Sequence, residues 1–106
     1  MQANWTPQAI EMADSILRYT ANTFGKAQAD KLRLTFAKLA QQLESFPYMG
    51  ALEPYLTDLQ KEYRFISVFK VLKIIYHVAD ADHLYIVAVW NCRQNPYELK
   101  TILSAN

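Results

Sequence analysis

Between Ile10 and Phe24 apolar residues recur at steps of three and four, through Ala13, Leu17 and Ala21, the spacing that puts them on one face of a helix. Thr6 ahead of Pro7 supplies a capping hydroxyl and a first-turn proline whose missing N–H is no loss there, and Gly25 offers a stop. A second stripe of the same period follows through Ala29, Leu32, Phe36, Leu39 and Leu43, while Lys26, Asp30, Lys31, Arg33, Lys38, Gln41 and Gln42 make its other side polar. Two helices of about 18 residues, each roughly 27 Å long and joined by one or two residues, predict an antiparallel hairpin.

From Ser45 to Pro54 the period is lost, and Pro47, Gly50 and Pro54 mark a loop. The period then changes to two. Tyr63 to Val68, Val71 to Val78 and Leu84 to Trp90 are rich in Val, Ile, Tyr and Phe, with a tight connection at Phe69 and Lys70 and a polar turn at Asp80 to His83. They predict three antiparallel strands in a meander, with Ala3 to Trp5 as a short first strand added at an edge. Asn95 and Pro96 close the sheet region, and Tyr97 to Leu103 suit a last helical turn or two. The fold class is α+β in the order β-α-α-β-β-β, one domain over residues 1–106, with the helical hairpin on one face of the sheet.

In the middle strand, alternation separates Leu72, Ile74, Tyr76 and Val78 from Val71, Lys73, Ile75 and His77; in the strand before it, Tyr63, Phe65 and Ser67 oppose Arg64, Ile66 and Val68. Both faces are substantially apolar, and the hairpin covers only one. The residues after Pro96 are too few to cover the rest. The second face, assigned Arg64 and Lys73, is therefore expected to stay open for a bound partner or a second copy of the chain, a homodimer.

Composition narrows the chemistry. Eleven Lys and Arg against ten Asp and Glu leave a formal charge of +1, so no global positive field draws the chain to nucleic acid. Apolar residues make up 52% of the chain, enough for a core without metal or disulfide staples. Cys92 is the single cysteine, so an internal disulfide and every multi-cysteine zinc site are excluded. His77 and His83 show no ligand spacing with carboxylates, and no glycine-rich phosphate loop exists. No metal and no cofactor are expected. The start lacks a charged region followed by an apolar stretch, and the longest strongly apolar run, Leu84 to Trp90, is too short to span a bilayer. A soluble cytoplasmic protein with no membrane partner is expected.

The helical hairpin, the segment PheProTyrMetGly with Pro54 after it, the strand TyrArgPheIle, the strand ending LysIleIleTyrHisVal, and TyrIleValAlaValTrpAsnCysArgGlnAsnProTyrGluLeu together resemble the RelE/ParE superfamily of toxins from type II toxin-antitoxin (plasmid stabilisation) modules. The resemblance spans essentially the whole chain, and its most telling part is the ending around Arg93, Asn95 and Pro96. It implies a cognate antitoxin and growth inhibition by the free toxin, and it admits two activities. The RelE-like branch cleaves mRNA in the ribosome, which requires a base for the ribose hydroxyl, cations for the phosphate and an acid for the leaving oxygen. Of its paired strand lysines, the first falls on Arg64 and the second on Ile66. One arginine falls on Lys73, which loses bidentate geometry, and another is kept as Arg93. Its stacking tyrosine falls on Leu99, with Tyr97 two residues early. Arg64, Lys73 and Arg93 would thus be the catalytic set under a ribonuclease reading that lacks its base and its ring. The ParE-like branch poisons DNA gyrase by binding, and the long paired helices, the missing second lysine and the ArgGlnAsnPro ending look closer to it. A third reading is an inactive homologue that serves only as an antitoxin partner.

The binding reading assigns partner contacts to Arg64, Ile66, Val68, Lys73 and Ile75 on the sheet, and to Arg93 and Tyr97 near the C-terminus. More ordinary roles compete at single positions. Arg93 could pair with Glu98 or Asp80, Tyr97 could pin the last segment to the sheet, and His77 is more often a half-buried strand residue than a base. Cys92 has no His or Asp arrangement around it and reads as structural.

Overall fold

A computed structural model describes residues 1–104 as an α+β domain. Strand β1 (Gln2–Trp5) leads into α1 (Pro7–Phe24), which is followed by α2 (Lys26–Ser45). After β2 (Ala51–Leu52) and a 3₁₀ turn (Pro54–Leu56) come β3 (Arg64–Val68), β4 (Leu72–Val78), β5 (His83–Asn91) and α3 (Pro96–Ser104). The sheet order is β1-β5-β4-β3-β2, antiparallel throughout except that β1 runs parallel to β5 at one edge.

The helix signals act as the sequence indicates. Thr6 Oγ1 accepts from the Ala9 N–H, Pro7 opens α1, and Gly25 ends it at φ 98. The α1 stripe, however, is rotated from the expected one. Ala9, Ala13 and Leu17 are buried, whereas Ile10 and Phe24 are 47% and 66% exposed. α1 packs on both α2 and β5, and alanine at two of its three buried positions lets the helix come close to the sheet. In α2 the buried residues Ala29, Leu32, Phe36 and Leu43 lie on the expected stripe. β2 is a strand that periodicity could not signal: it has two residues, and it forms because Ala51 and Leu52 pair with Phe65 and Arg64. Asn95 caps α3, its side-chain oxygen accepting from the Tyr97 N–H at 3.0 Å.

Two cores flank the sheet. The helical hairpin packs on Val68, Leu72, Ile74, Tyr76, Leu84, Ile86 and Val89. Opposite, Leu56 of the 3₁₀ turn and Leu99 and Leu103 of α3 pack on Tyr63, Ile75, Val87, Ala88 and Trp90. The expectation of a largely open second face is therefore wrong. Three leucines from two short elements close its centre, and Ile75 is fully buried there. Lys100 and Asp58 form an ion pair that ties α3 to the segment after the 3₁₀ turn. β5 carries a bulge, since Ile75 pairs with Ala88 while Tyr76 pairs with Ile86. Val87 is the extra residue, so Val87 and Ala88 are consecutive yet belong to the same second core.

Candidate functional site

Register decides which cations can act together. Arg64 pairs with Tyr76 and Ile66 with Ile74, so Arg64, Ile66 and Val68 share the face under the helices. Lys73 pairs with Ser67 on the opposite face. The expectation that Arg64 and Lys73 share one face is thus corrected: with a side-chain period of two, the observed pairing separates them.

Arg64 is held in place by its surroundings. Its guanidinium donates to the Gly50 carbonyl at 2.8 Å and to Glu62 at 2.9 Å, and lies over the Tyr48 ring. The Gly50 N–H donates at 2.9 Å to the hydroxyl of fully buried Tyr76. Burial pushes the Tyr76 phenol up, against opposing effects of the Gly50 N–H and the Arg64 charge. Arg64 and Tyr76 together clamp the Phe46–Gly50 loop, which leaves Phe46, Tyr48 and Met49 exposed at its surface.

Lys73 is compensated by a carboxylate that the sequence reading missed. Glu53, 2% exposed, takes the Lys73 ammonium at 3.0 Å and accepts from the Tyr55 N–H, and Lys73 also lies 4.3 Å from the centre of the Phe65 ring. The signal was Glu53 directly before Pro54, an acceptor placed to cap a turn. Beside this pair is a cavity of about 100 Å³ lined by Glu53, Tyr55, Lys73, Trp90, Cys92 and Leu99 among others. Trp90 Nε1 is buried without a hydrogen-bond partner among the described residues.

Arg93 is exposed in the turn after β5 and makes no ion pair among the described residues; Asp80, one suggested partner, binds His83 instead. The Asp80 carboxyl is held below the usual carboxylate range by the Asp82 N–H first and by His83 next. Tyr97 is 66% exposed and meets Tyr55 edge-on. Val68 and Ile75 are 2% and 0% exposed, so the protein's own layers take both out of a partner's reach, while Ile66 is partly buried under the helices. Cys92 is a free, exposed thiol. Among the described residues, no cluster of His, Cys, Asp and Glu could hold a metal, and no helix is long and apolar enough to cross a membrane.

A concavity of about 770 Å³ lies on the second face, bordered by Leu103 of α3. A row of rings forms its floor, Tyr63 to His77 at 5.7 Å and His77 to Tyr85 at 5.8 Å between centroids. Burial, with the nearby Lys61 charge, holds the His77 imidazole below its ordinary value, against a backbone hydrogen bond at Val78; burial alone raises Tyr63. Lys61 and this groove had no periodic signal, because the groove is formed by segments far apart in the chain.

Among the described residues, Arg64, Lys73 and Arg93 do not form one group of free cations, since Arg64 and Lys73 lie on opposite faces and are each paired with a carboxylate. Residues 3–96 match the family described as ParE toxin of type II toxin-antitoxin system, parDE. The chain belongs to the ParE toxin family. In fold, this ParE-family chain is similar to a solved structure of the chromosomal ParDE TA system from P. aeruginosa, with a TM-score of 0.69 at 17% identity, covering 86% of this chain and 95% of that one. No curated protein matches it.

Proposed function

We propose that this ParE-family toxin arrests growth by binding DNA gyrase in the cytoplasm, without a cofactor, and that a cognate antitoxin neutralises it. The observation that carries a binding role over RNA cleavage is the disposition of the cations. Arg64 and Lys73 lie on opposite faces, each bound to a carboxylate, and of the three assigned cations Arg93 alone has no ion pair among the described residues. A cation already neutralised at 3.0 Å by a buried carboxylate has little to offer a phosphate transition state. Exposed Arg93 and Tyr97 are the residues assigned to the gyrase contact.

A binding poison acts stoichiometrically, so inhibition of supercoiling should saturate near equimolar toxin once concentrations exceed the dissociation constant, whereas a ribonuclease turns over. Titrating purified gyrase and plasmid with the toxin measures this. Arg93→Ala should weaken inhibition while leaving stability within about 0.5 kcal/mol, and Tyr97→Ala should weaken it at a cost of about 0.5–1.5 kcal/mol for the lost edge-on contact with Tyr55. Unimpaired supercoiling at several-fold excess, with no cleaved DNA complex accumulating, overturns the gyrase assignment. Ribosome-dependent cleavage of a message, read by toeprinting, would then identify a nuclease, and its absence an inactive homologue.

A further inference from the structure

The cavity of about 100 Å³ beside the Glu53–Lys73 pair lies where β5 ends and the turn toward α3 begins. Tyr55, Cys92 and Gln94 border it and are exposed, whereas Glu53, Trp90 and Leu99 line it and are buried. Trp90 stands opposite Lys73 in the β4–β5 ladder, and its buried Nε1 has no hydrogen-bond partner among the described residues. An indole N–H in that position is unfavourable until an acceptor is brought to it.

The polar groups around the cavity define what fits. Trp90 Nε1 can only donate, so it requires an acceptor. The Glu53 oxygens take the Lys73 ammonium at 3.0 and 3.4 Å and the Tyr55 N–H at 3.4 Å, and a carboxylate with about four lone-pair sites has room for a further donor. The two charges already neutralise each other. A second carboxylate would be set against Glu53 and a cation against Lys73, each desolvated without a counter-charge of its own. A neutral group that both accepts and donates matches the site. The volume is well below the roughly 300 Å³ at which pockets take whole ligands, so it suits the end of one side chain.

We infer that this cavity is a pocket for a primary carboxamide, whose oxygen accepts from Trp90 Nε1 and whose NH₂ donates to Glu53, and that an asparagine or glutamine side chain of gyrase supplies it. The source of the carboxamide rests on the gyrase reading above. Arg93 lies between the rim residues Cys92 and Gln94, and the rim residue Tyr55 meets Tyr97 edge-on, so the opening adjoins both residues assigned to that contact.

The test is a titration of the intact nitrogen-labelled protein with propionamide, followed by NMR at the Trp90 indole N–H, whose resonance is assigned by its loss in Trp90→Phe. A saturable shift is expected, with a dissociation constant on the order of 1–100 mM for so small a probe. Propionate and propylammonium should bind at least about fivefold more weakly, and Cys92→Phe, which crowds the rim, should weaken the propionamide response. In the supercoiling assay Trp90→Phe, with its fold checked by the backbone spectrum, should raise the toxin concentration for half-inhibition about fivefold or more. No saturable propionamide shift, or equal responses to all three probes, overturns the carboxamide pocket, and leaves the gyrase reading standing if the wild type inhibits. A propionamide response together with unchanged inhibition by folded Trp90→Phe overturns gyrase as the source. Absence of inhibition by the wild type overturns the gyrase reading and that source with it, while the propionamide titration still decides the pocket.

Discussion

Replacing Gly50 by alanine would set a methyl carbon 2.7 Å from the Phe65 carbonyl oxygen and 2.7 Å from the Tyr76 hydroxyl, with Tyr76 Cε1 at 2.9 Å. Neither neighbour yields easily. Phe65 belongs to the β3 ladder, paired with Ile75 on one side and Ala51 on the other, and Tyr76 is fully buried. Overpacking of this kind costs about 1–3 kcal/mol, and displacing the Gly50 N–H from the buried phenol leaves groups unsatisfied at a similar cost. Because both penalties act on one contact they do not add fully, so about 2–4 kcal/mol is expected. That lowers Tm by at least about 8 °C for a domain of this size. Urea unfolding of Gly50→Ala, Tyr76→Phe and the double variant measures both parts. Tyr76→Phe alone should cost about 1–3 kcal/mol by removing the acceptor, and it should reduce the further cost of Gly50→Ala by removing one of the clashing atoms. Gly25→Ala is the control: φ is 98 but nothing lies within 4 Å, so only the backbone penalty of about 1–2 kcal/mol applies. A Gly50→Ala protein within about 0.5 kcal/mol of wild type would refute the clamp.

Lys73→Ala should cost about 3–5 kcal/mol by leaving the buried Glu53 carboxylate unpaired, and adding Glu53→Gln should recover much of it; equal denaturation midpoints for wild type and Lys73→Ala would mean the pair is not buried as described. His77 titrates below its ordinary value of 6.5, so the unfolded chain takes the proton more readily than the folded one. Its stability contribution is complete above about pH 6.5 and is lost as pH falls from there through the folded value. Urea midpoints should therefore drop between about pH 7.5 and about pH 5.5, and drop less in His77→Gln; identical drops would exclude His77 as the source.

What the sequence by itself determined is what short-range physics controls. The cap at Thr6, the stop at Gly25, the stripe of α2 and the period-two runs of β3 to β5 depend on residues within a turn or a strand of one another, and the structure places each element within a few residues of its expected bounds. The family resemblance drew on the order of these same elements. Long-range pairing decided the rest. β1 finds β5 some eighty residues away, and the single bulge at Val87 puts Val87 and Ala88 in one core. Arg64 and Lys73 look like neighbours on one face until the pairing of Arg64 with Tyr76 puts them on opposite sides, since a shift of one residue exchanges the faces of a strand. The cover over the second face was equally illegible, because Leu56, Leu99 and Leu103 are too few to form a recognisable stripe and become a layer only once the sheet collects them. Glu53 likewise acquires its role from the fold, which brings the partly exposed Lys73 ammonium to its buried carboxylate at 3.0 Å.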